Sequence, residues 1–197
     1  LDNLTSVWAC LEGLLGASAG SVPAGVRLVA LFDNEEVGSR TKQGAGSLVL
    51  AEALRRIYEK AGGEAARAQA LADGFLLSVD VAHGLHPAHE EKSDPAVRPV
   101  LGSGVVIKQA ASQAYAGDAE AVAIVRELAR LHAIPVQDFV NRSDSRGGST
   151  LGSIASALVP VRTMDVGVPI LAMHSARETM AAADEAALIS LVRAVLA

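Results

Sequence analysis

A largely apolar segment that ends in a group of acids is the feature that most constrains this chain. Residues 25–32 lead directly into Asp33, Glu35 and Glu36. A short apolar run that stops at turn residues predicts a buried strand, here over about residues 25–32. Open α/β sheets bind ligands at the carboxyl ends of their strands, and neighbouring carboxylates need a compensating cation when they are buried. The stretch therefore predicts a cation site, although a solvated acidic turn accounts for it equally well.

The composition suits helices packed on a mostly parallel sheet. Half of the 197 residues are hydrophobic and only 3% are aromatic, and the length is sufficient for one domain with a proper core. The net charge of −5 and the absence of a basic cluster in the sequence argue against nucleic acid or an anionic membrane as a partner. Because the sequence shows no signal peptide, no membrane-spanning run and a single cysteine, Cys10, we expect a cytoplasmic protein.

Strand and helix patterns alternate along the chain. Apolar spacing predicts helices over residues 4–15, 44–61, 64–72, 120–131, 149–158 and 185–196. Apolar runs predict strands over residues 25–32, 75–81, 104–109, 137–140, 161–166 and 168–173. Residues 16–21 form a predicted loop, and residues 82–103 an irregular segment of the length that is usually functional or disordered. This alternation predicts an α/β layer structure with right-handed crossovers.

Five acids and histidines fall at the predicted strand ends or near the start of the chain. Carboxylates and imidazole without thiolate are typical of a hydrolytic zinc, manganese or cobalt site rather than of a structural zinc site. Two adjacent acids point in opposite directions in extended backbone, so one can bind metal while the other takes a proton from water. Taken singly, each of these residues is more simply a helix cap, a surface acid or a core histidine. The candidates are Asp2, Glu35, Glu36, Asp80 and His174.

Eight motifs in the sequence resemble those of the M18 aminopeptidases, the aspartyl aminopeptidase family of co-catalytic metallopeptidases. They occur in the family's order and cover nearly the whole chain: LDNL, FDNEEVGS, QGAGS, SVDVAHGLHP, HEEKSDP, GVVIKQ, SDSRGGSTLG and LAMHSARE. The resemblance implies a zinc-peptidase-like fold, a three-layer α/β sandwich whose mostly parallel mixed sheet is flanked by helices. It also implies an enzyme that removes N-terminal residues, often acidic ones, from peptides.

The resemblance also implies roles for the candidate ligands. Asp2 resembles the carboxylate that bridges two metals, and Glu36 and His174 resemble the further ligands of one of them. Asp80 resembles the terminal ligand of the other metal. Glu35 resembles the general base, which takes a proton from water and later hands it to the leaving amine. A complete active site of this kind holds two Zn²⁺ ions, although the same donors accept Mn²⁺ or Co²⁺.

Four further residues are candidates for contact with substrate, and two of them resemble family positions. His83 matches a position that stabilises the oxyanion, with a buried histidine satisfied by backbone as the alternative. Lys108 matches the residue that meets an acidic substrate side chain, with a lysine that snorkels at a strand end as the alternative. Gly148 and Ser149 lie in a loop whose backbone N–H groups could bind substrate carbonyls, and a tight turn with an ordinary helix cap is an equally good account.

The sequence departs from the family pattern in two ways. The family has one more histidine ligand far before the LDNL motif, and an inserted dimerisation domain between the two; neither is in residues 1–197. We therefore expect the C-terminal portion of a single catalytic domain, from a protein that forms homo-oligomers or receives the missing histidine from a partner segment. The alternative is a truncated homologue that binds peptides or assembles with another chain without catalysing hydrolysis.

Overall fold

The computed structural model describes residues 1–17, 25–145 and 147–197. Three helices precede the first strand, and strands and helices are interspersed after it. The 18–21 part of the predicted loop lies outside the described residues. The strands are β1 (Phe75–His83), β2 (Val105–Gln109), β3 (Val136–Val140), β4 (Arg162–Leu171) and β5 (Thr179–Met180). The helices are α1 (Leu4–Ala17), α2 (Val49–Lys60), α3 (Gly63–Asp73), α4 (Ala119–Leu131), α5 (Leu151–Leu158) and α6 (Ala182–Leu196), and a short 3₁₀ turn spans Glu90–Lys92.

The strands form one mixed sheet with the order β1-β4-β2-β3, and β5 pairs with β4. The β1–β4 and β2–β3 ladders are parallel, whereas β2–β4 and β4–β5 are antiparallel. Together with the helices that pack on it, this sheet confirms the predicted α/β class. Because β1 and β4 are parallel neighbours, the segments that follow both strands emerge at the same edge of the sheet.

The central strand β4 corrects one prediction. Residues 161–166 and 168–173 were expected as two strands, but Arg162–Leu171 is continuous, and its residues are buried from Thr163 to Ile170. Gly167 does not interrupt the strand, because it lets two backbones approach closely. A Cβ atom at this position would lie 2.0 Å from the backbone oxygen of Asp80. Glycine inside a strand is typical of such a close approach.

The segment that was predicted as the first strand is not a strand in the structure. Residues 26–32 carry no strand assignment, and their backbone groups make no hydrogen bond to any other described residue. A strand needs a neighbour that accepts and donates backbone hydrogen bonds, and the described part of the chain provides none beside this segment. Three of its apolar side chains are consequently exposed: Val26, Leu28 and Leu31.

Helix α2 also begins later than predicted, at Val49 instead of residue 44. The residues before it form a turn that packs on the acidic segment, and the Gly46 N–H donates to the Ser39 carbonyl at 3.0 Å. A Cβ atom at Gly44 would lie 2.4 Å from the same carbonyl oxygen. The glycines at these two positions therefore permit a close backbone contact where the helical pattern alone predicted another turn of helix.

Helices α1 and α6 pack together on one face of the sheet. Leu188 and Leu191 of α6 are fully buried in the main core, and Gly13 of α1 lies so close to α6 that a Cβ atom there would be 2.5 Å from Cγ1 of Val192. The opposite face of α1 carries an exposed apolar stripe: Leu4, Trp8, Leu11 and Leu15. No helix in the described part of the chain has the length and apolar character needed to cross a membrane.

Candidate metal and substrate site

A single cavity of about 140 Å³ lies at the edge of the sheet where β1 and β4 end. All nine residues that the sequence singled out line it, and they come from six separate stretches of the chain. They are Asp2, Glu35, Glu36, Asp80, His83, Lys108, Gly148, Ser149 and His174. The convergence follows from the topology, because parallel neighbours and the loops behind them deliver their residues to a common edge.

Three of these side chains form a group that could hold a metal ion. The His174 Nε2 atom lies 3.1 Å from Oδ2 of Asp2 and 3.3 Å from Oε2 of Glu36. Each residue offers one ligand atom, and the three atoms all lie within 4.8 Å of one another. Among the described residues, no other group of three or more such side chains brings its ligand atoms this close together. One imidazole and two carboxylates are the donor types of catalytic zinc sites, which leave a position open for water or substrate. The donor set fits one such ion.

Glu178, which sequence reasoning missed, organises two of these donors. Its Oε2 atom accepts the backbone N–H of Asp2 at 3.0 Å, and its Oε1 atom accepts the backbone N–H of His174 at 2.7 Å. The carboxylate therefore holds together two backbone segments from opposite ends of the chain. Its position four residues after His174, at the end of the LAMHSARE motif, was the signal that could have identified it.

The segment before α1 is attached to β1 by a side-chain hydrogen bond. The Asn3 amide Nδ2 donates to the backbone oxygen of Val79 at 3.2 Å. Val79 directly precedes Asp80 in β1, so this contact brings Asp2 to the end of the cavity where Asp80 lies. Asp80 itself is inside β1, three residues before the strand ends, and not at the strand end as the sequence predicted.

The acids Glu35 and Glu36 lie in a tight turn instead of extended backbone. The Gly38 N–H donates to the Glu35 carbonyl at 2.8 Å, and the Ser39 N–H donates to the Asn34 carbonyl at 2.9 Å. The expectation that extended backbone points the two side chains in opposite directions is therefore wrong in its geometry. Both side chains line the cavity, and Glu36 joins the donor group while Glu35 does not.

Burial and neighbouring negative charges raise the pKa of two acids at the site, Glu35 and Asp2. Burial raises the pKa of Glu35 to about 6, and the charges of Asp80, Glu36 and Asp2 add to the effect. Burial, followed by Asp80 and Glu36, also raises the pKa of Asp2. Each shift has the sign expected for acids that are partly desolvated beside like charges. A bound cation would relieve this repulsion.

Lys108 forms a buried ion pair with Asp80. Its Nζ atom donates to Oδ2 of Asp80 at 3.0 Å and to the backbone oxygen of Val81 at 2.8 Å, and it lies 4.8 Å from the centroid of the Tyr115 ring. The residue is only 3% exposed, so the alternative of a lysine that snorkels to solvent is wrong. Asp80 faces this ammonium and is not part of the donor group formed by Asp2, Glu36 and His174.

The remaining candidates, Gly148, Ser149 and His83, also line the cavity. Gly148 and Ser149 are exposed and precede α5, and Thr150 at the N-cap position makes no capping hydrogen bond through its side chain. The ordinary helix cap that was the alternative reading of this loop is therefore not formed. His83 ends β1, where burial and the nearby Lys108 lower its pKa. The ring of His83 lies 6.3 Å from that of Phe139, an aromatic cavity residue that the sequence did not signal.

A family model and several curated relatives match this chain. A family model described as "Aminopeptidase I zinc metalloprotease (M18)" matches residues 1–195. The chain is 44% identical over 185 residues to the probable M18 family aminopeptidase 2 of Clostridium acetobutylicum, covering 93% of this chain and 42% of the relative. It is 43% identical over 189 residues to the probable aspartyl aminopeptidase of Ricinus communis, covering 93% of this chain and 38% of the relative.

A solved structure shares the fold. The mApe1 dodecamer of S. cerevisiae superposes with a TM-score of 0.83 at 26% identity, covering 98% of this chain and 43% of that chain. The chain thus spans about two fifths of the length of the relatives it matches.

Proposed function

The chain belongs to the M18 family of zinc metalloproteases, and on that premise we propose that it forms the larger part of the active site of an aminopeptidase that removes acidic N-terminal residues from peptides. One observation carries the proposal: nine residues chosen from the sequence line one cavity, and three of them bring ligand atoms within 4.8 Å of one another. The proposal includes a cytoplasmic location, which is consistent with a single cysteine, free in the structure.

Asp2, Glu36 and His174 would hold the first Zn²⁺ ion. When bound, the ion would polarise the carbonyl group of the scissile peptide bond. Glu35 would serve as the general base, since its carboxylate lines the same cavity without belonging to the donor group. A pKa raised to about 6 suits a group that takes a proton from the attacking water and later gives it to the leaving amine.

The substrate would lie along the other wall of the cavity. His83 would donate to the developing oxyanion, and the exposed backbone of Gly148 and Ser149 would bind the peptide. The buried ammonium of Lys108, the only Lys or Arg side chain among the residues that line the cavity, would meet an acidic substrate side chain. A fixed cation in a desolvated pocket favours a carboxylate partner, and the Ricinus relative carries the name of an aspartyl aminopeptidase.

Asp2 and Asp80 would hold a second Zn²⁺ ion, which needs a donor beyond those described. Asp80 faces the Lys108 ammonium, and the described residues place no further histidine in a group of three donors with it. We propose that another polypeptide segment supplies the missing imidazole. Two surfaces are suited to receive such a segment: the unpaired residues 26–32 and the exposed apolar stripe of α1. Unpaired strand edges are ready templates for another strand.

Assembly into homo-oligomers is part of the same proposal. Its support is the fold shared with the mApe1 dodecamer. A second candidate function, peptide binding without hydrolysis, is favoured by the Lys108–Asp80 ion pair, because that pair leaves donors for one metal only. One metal ion per 197-residue chain would be consistent with both candidates, an active site that another segment completes and a binding module.

The acidic preference can be tested by calorimetry with the zinc-loaded chain and two amino-acid hydroxamates. The aspartyl hydroxamate should bind about tenfold more tightly than the leucyl hydroxamate, a difference of about 1.4 kcal/mol. Lys108→Ala should remove this preference, while Lys92→Ala, which changes an exposed lysine outside the cavity, should keep it. Equal binding of the two hydroxamates by the unaltered chain would contradict the acidic specificity.

A further inference from the structure

Asp165 carries a buried carboxylate that has no part in the function proposed above. It lies in β4 and is fully buried, and it does not line the cavity. Its Oδ1 atom accepts the hydroxyl hydrogen of Ser78 from β1, and its Oδ2 atom accepts the backbone N–H of Ala116. The backbone N–H of Asp165 in turn donates to the Ala116 carbonyl at 2.9 Å. Both polar backbone groups of Ala116 are therefore held by one residue.

Ala116 directly follows Tyr115, whose ring forms part of the cavity wall. Tyr115 is 5% exposed, and its ring lies 6.0 Å from the ring of Phe139. The Nζ atom of Lys108 lies 4.8 Å from the Tyr115 centroid, within the range in which an ammonium is attracted to an aromatic face. Tyr115 thus gives Lys108 a third contact, in addition to Asp80 and the Val81 carbonyl.

A carboxylate at this position has a function that an apolar side chain would not supply. Burial of a carboxylate is costly unless hydrogen bonds satisfy it, and apolar residues surround Asp165 along β4. Its two oxygen atoms hold a neighbouring strand and a loop at the same time. Helix α5 packs against the same carboxylate, since a Cβ atom at Gly152 would lie 2.7 Å from Oδ1 of Asp165.

We propose that Asp165 is a positioning residue: by holding Ala116 it fixes the Tyr115 ring, and the ring fixes the Lys108 ammonium at the cavity wall. The inference rests on the proposed function, in which Lys108 meets the acidic side chain of the substrate. Asp165 itself touches neither the substrate nor the metal donors.

Two pairs of variants separate this role from a general effect on folding. Asp165→Leu keeps the branch point at Cγ but makes the side chain apolar and removes both acceptors, whereas Asp165→Asn keeps a carbonyl oxygen for the Ala116 N–H and can donate its amide to the Ser78 hydroxyl. Tyr115→Leu removes the ring, whereas Tyr115→Phe keeps it. Circular dichroism verifies that each variant is folded.

The measurement is the rate at which acetic anhydride acetylates each lysine of the full 197-residue chain, read by mass spectrometry. Lys42, Lys60 and Lys92 are exposed and serve as internal controls. In the unaltered chain Lys108 should react about tenfold more slowly than they do, because a buried, paired amine reacts only after local opening. Asp165→Leu and Tyr115→Leu should raise the Lys108 rate about threefold or more through the lost ring contact. The asparagine and phenylalanine variants should stay near the unaltered rate.

The acetylation experiment tests this inference independently of the proposed function, because acetylation requires neither zinc nor substrate. A Lys108 rate that stays unchanged in folded Asp165→Leu or folded Tyr115→Leu overturns the positioning role, even if the aspartyl hydroxamate still binds more tightly. Equal binding of the two hydroxamates with the expected acetylation pattern overturns the specificity and leaves the positioning role intact. If Asp165→Leu does not fold, a Lys108 rate in Asp165→Asn as high as in Tyr115→Leu overturns the inference.

Discussion

The Nε2 atom of His174 lies 3.1 Å from Oδ2 of Asp2, although the two residues come from opposite ends of the chain. Asp2 reaches the cavity through the hydrogen bond from Asn3 to β1, and His174 follows β4, the parallel neighbour of β1. The sheet therefore brings the two donors together.

Glu178→Ala should weaken zinc binding even though Glu178 is not one of the three donors. Its carboxylate fixes the backbone at both Asp2 and His174, and removing a partner that orients metal ligands typically costs about 10-fold to 100-fold in affinity. Calorimetric zinc titration of the two chains measures the difference. Glu127→Ala, which alters an exposed acid that pairs with Arg130 on α4, should bind zinc as the unaltered chain does. Equal affinities for Glu178→Ala and the unaltered chain would show that these two hydrogen bonds do not organise the donors.

Gly152→Ala should destabilise the fold by about 1–3 kcal/mol, the usual cost of overpacking. Alanine is normally favoured over glycine within a helix, but here its Cβ atom would lie 2.6 Å from Oγ of Ser78 and 2.7 Å from Oδ1 of Asp165. Urea unfolding measures the change. Gly16→Ala in α1 is the control, because the nearest neighbour of its Cβ atom would be the flexible Arg193 side chain, at 3.1 Å. Unchanged stability in Gly152→Ala would mean that α5 does not pack directly on the Asp165 group.

Glu185→Gln should stabilise the fold near neutral pH. Both carboxylate oxygens of Glu185 are buried without a hydrogen-bond partner, and burial raises the pKa of this acid. The folded state therefore favours the protonated form, so stability is highest below the ordinary pKa and is lost as the pH rises through the raised pKa. The glutamine variant lacks this loss, and its advantage, up to about 1 kcal/mol for an unsatisfied group, should shrink as the pH falls.

Urea unfolding of both chains across this pH range measures that advantage. Glu59→Gln, which alters an exposed acid paired with Arg55, should change stability little at any pH. If Glu185→Gln is more stable than the unaltered chain by the same amount at every pH, the gain in stability does not come from the removal of an ionised buried carboxyl group.

The backbone amides of residues 26–32 should exchange with solvent deuterium as rapidly as those of an unstructured peptide. They have no hydrogen-bond partner among the described residues, while the amides of β4 lie between ladders on both sides. Hydrogen-exchange mass spectrometry compares the two segments in the same sample. Protection of residues 26–32 to the level of β4 in a monomeric sample would mean that the segment already has a strand partner.

Much of the fold was predictable because local patterns determine it. All six helices and the core strands β1 to β4 occur close to where apolar spacing placed them, since each buries one continuous face or run. Residues 25–32 have the same pattern and are not a strand, because strand formation also requires a neighbour. The pattern of a segment carries no information about whether that neighbour is present.

The sequence predicted which residues line the candidate site, but not which of them pair with one another. Each of the nine residues belongs to a motif, and all nine line the cavity. The ion pair between Lys108 and Asp80 joins two strands that are not adjacent in the sheet, so no local spacing could indicate it. Glu178 and Asp165 were also missed, since they act on backbone N–H groups distant in sequence. An acid inside the apolar run of β4 was nevertheless a visible anomaly, because buried acids are rare unless they are paired.

The most direct test of the account is calorimetric titration of the 197-residue chain with zinc, with His174→Ala and His132→Ala as matched variants. His132 is exposed, ends α4 and does not line the cavity. We predict that the unaltered chain and His132→Ala bind one ion each, and that His174→Ala binds it about tenfold more weakly or not at all, because three protein ligands are the usual complement of a catalytic zinc. Zinc binding by His174→Ala as tight as that of the unaltered chain would contradict the assignment of Asp2, Glu36 and His174 as the metal site.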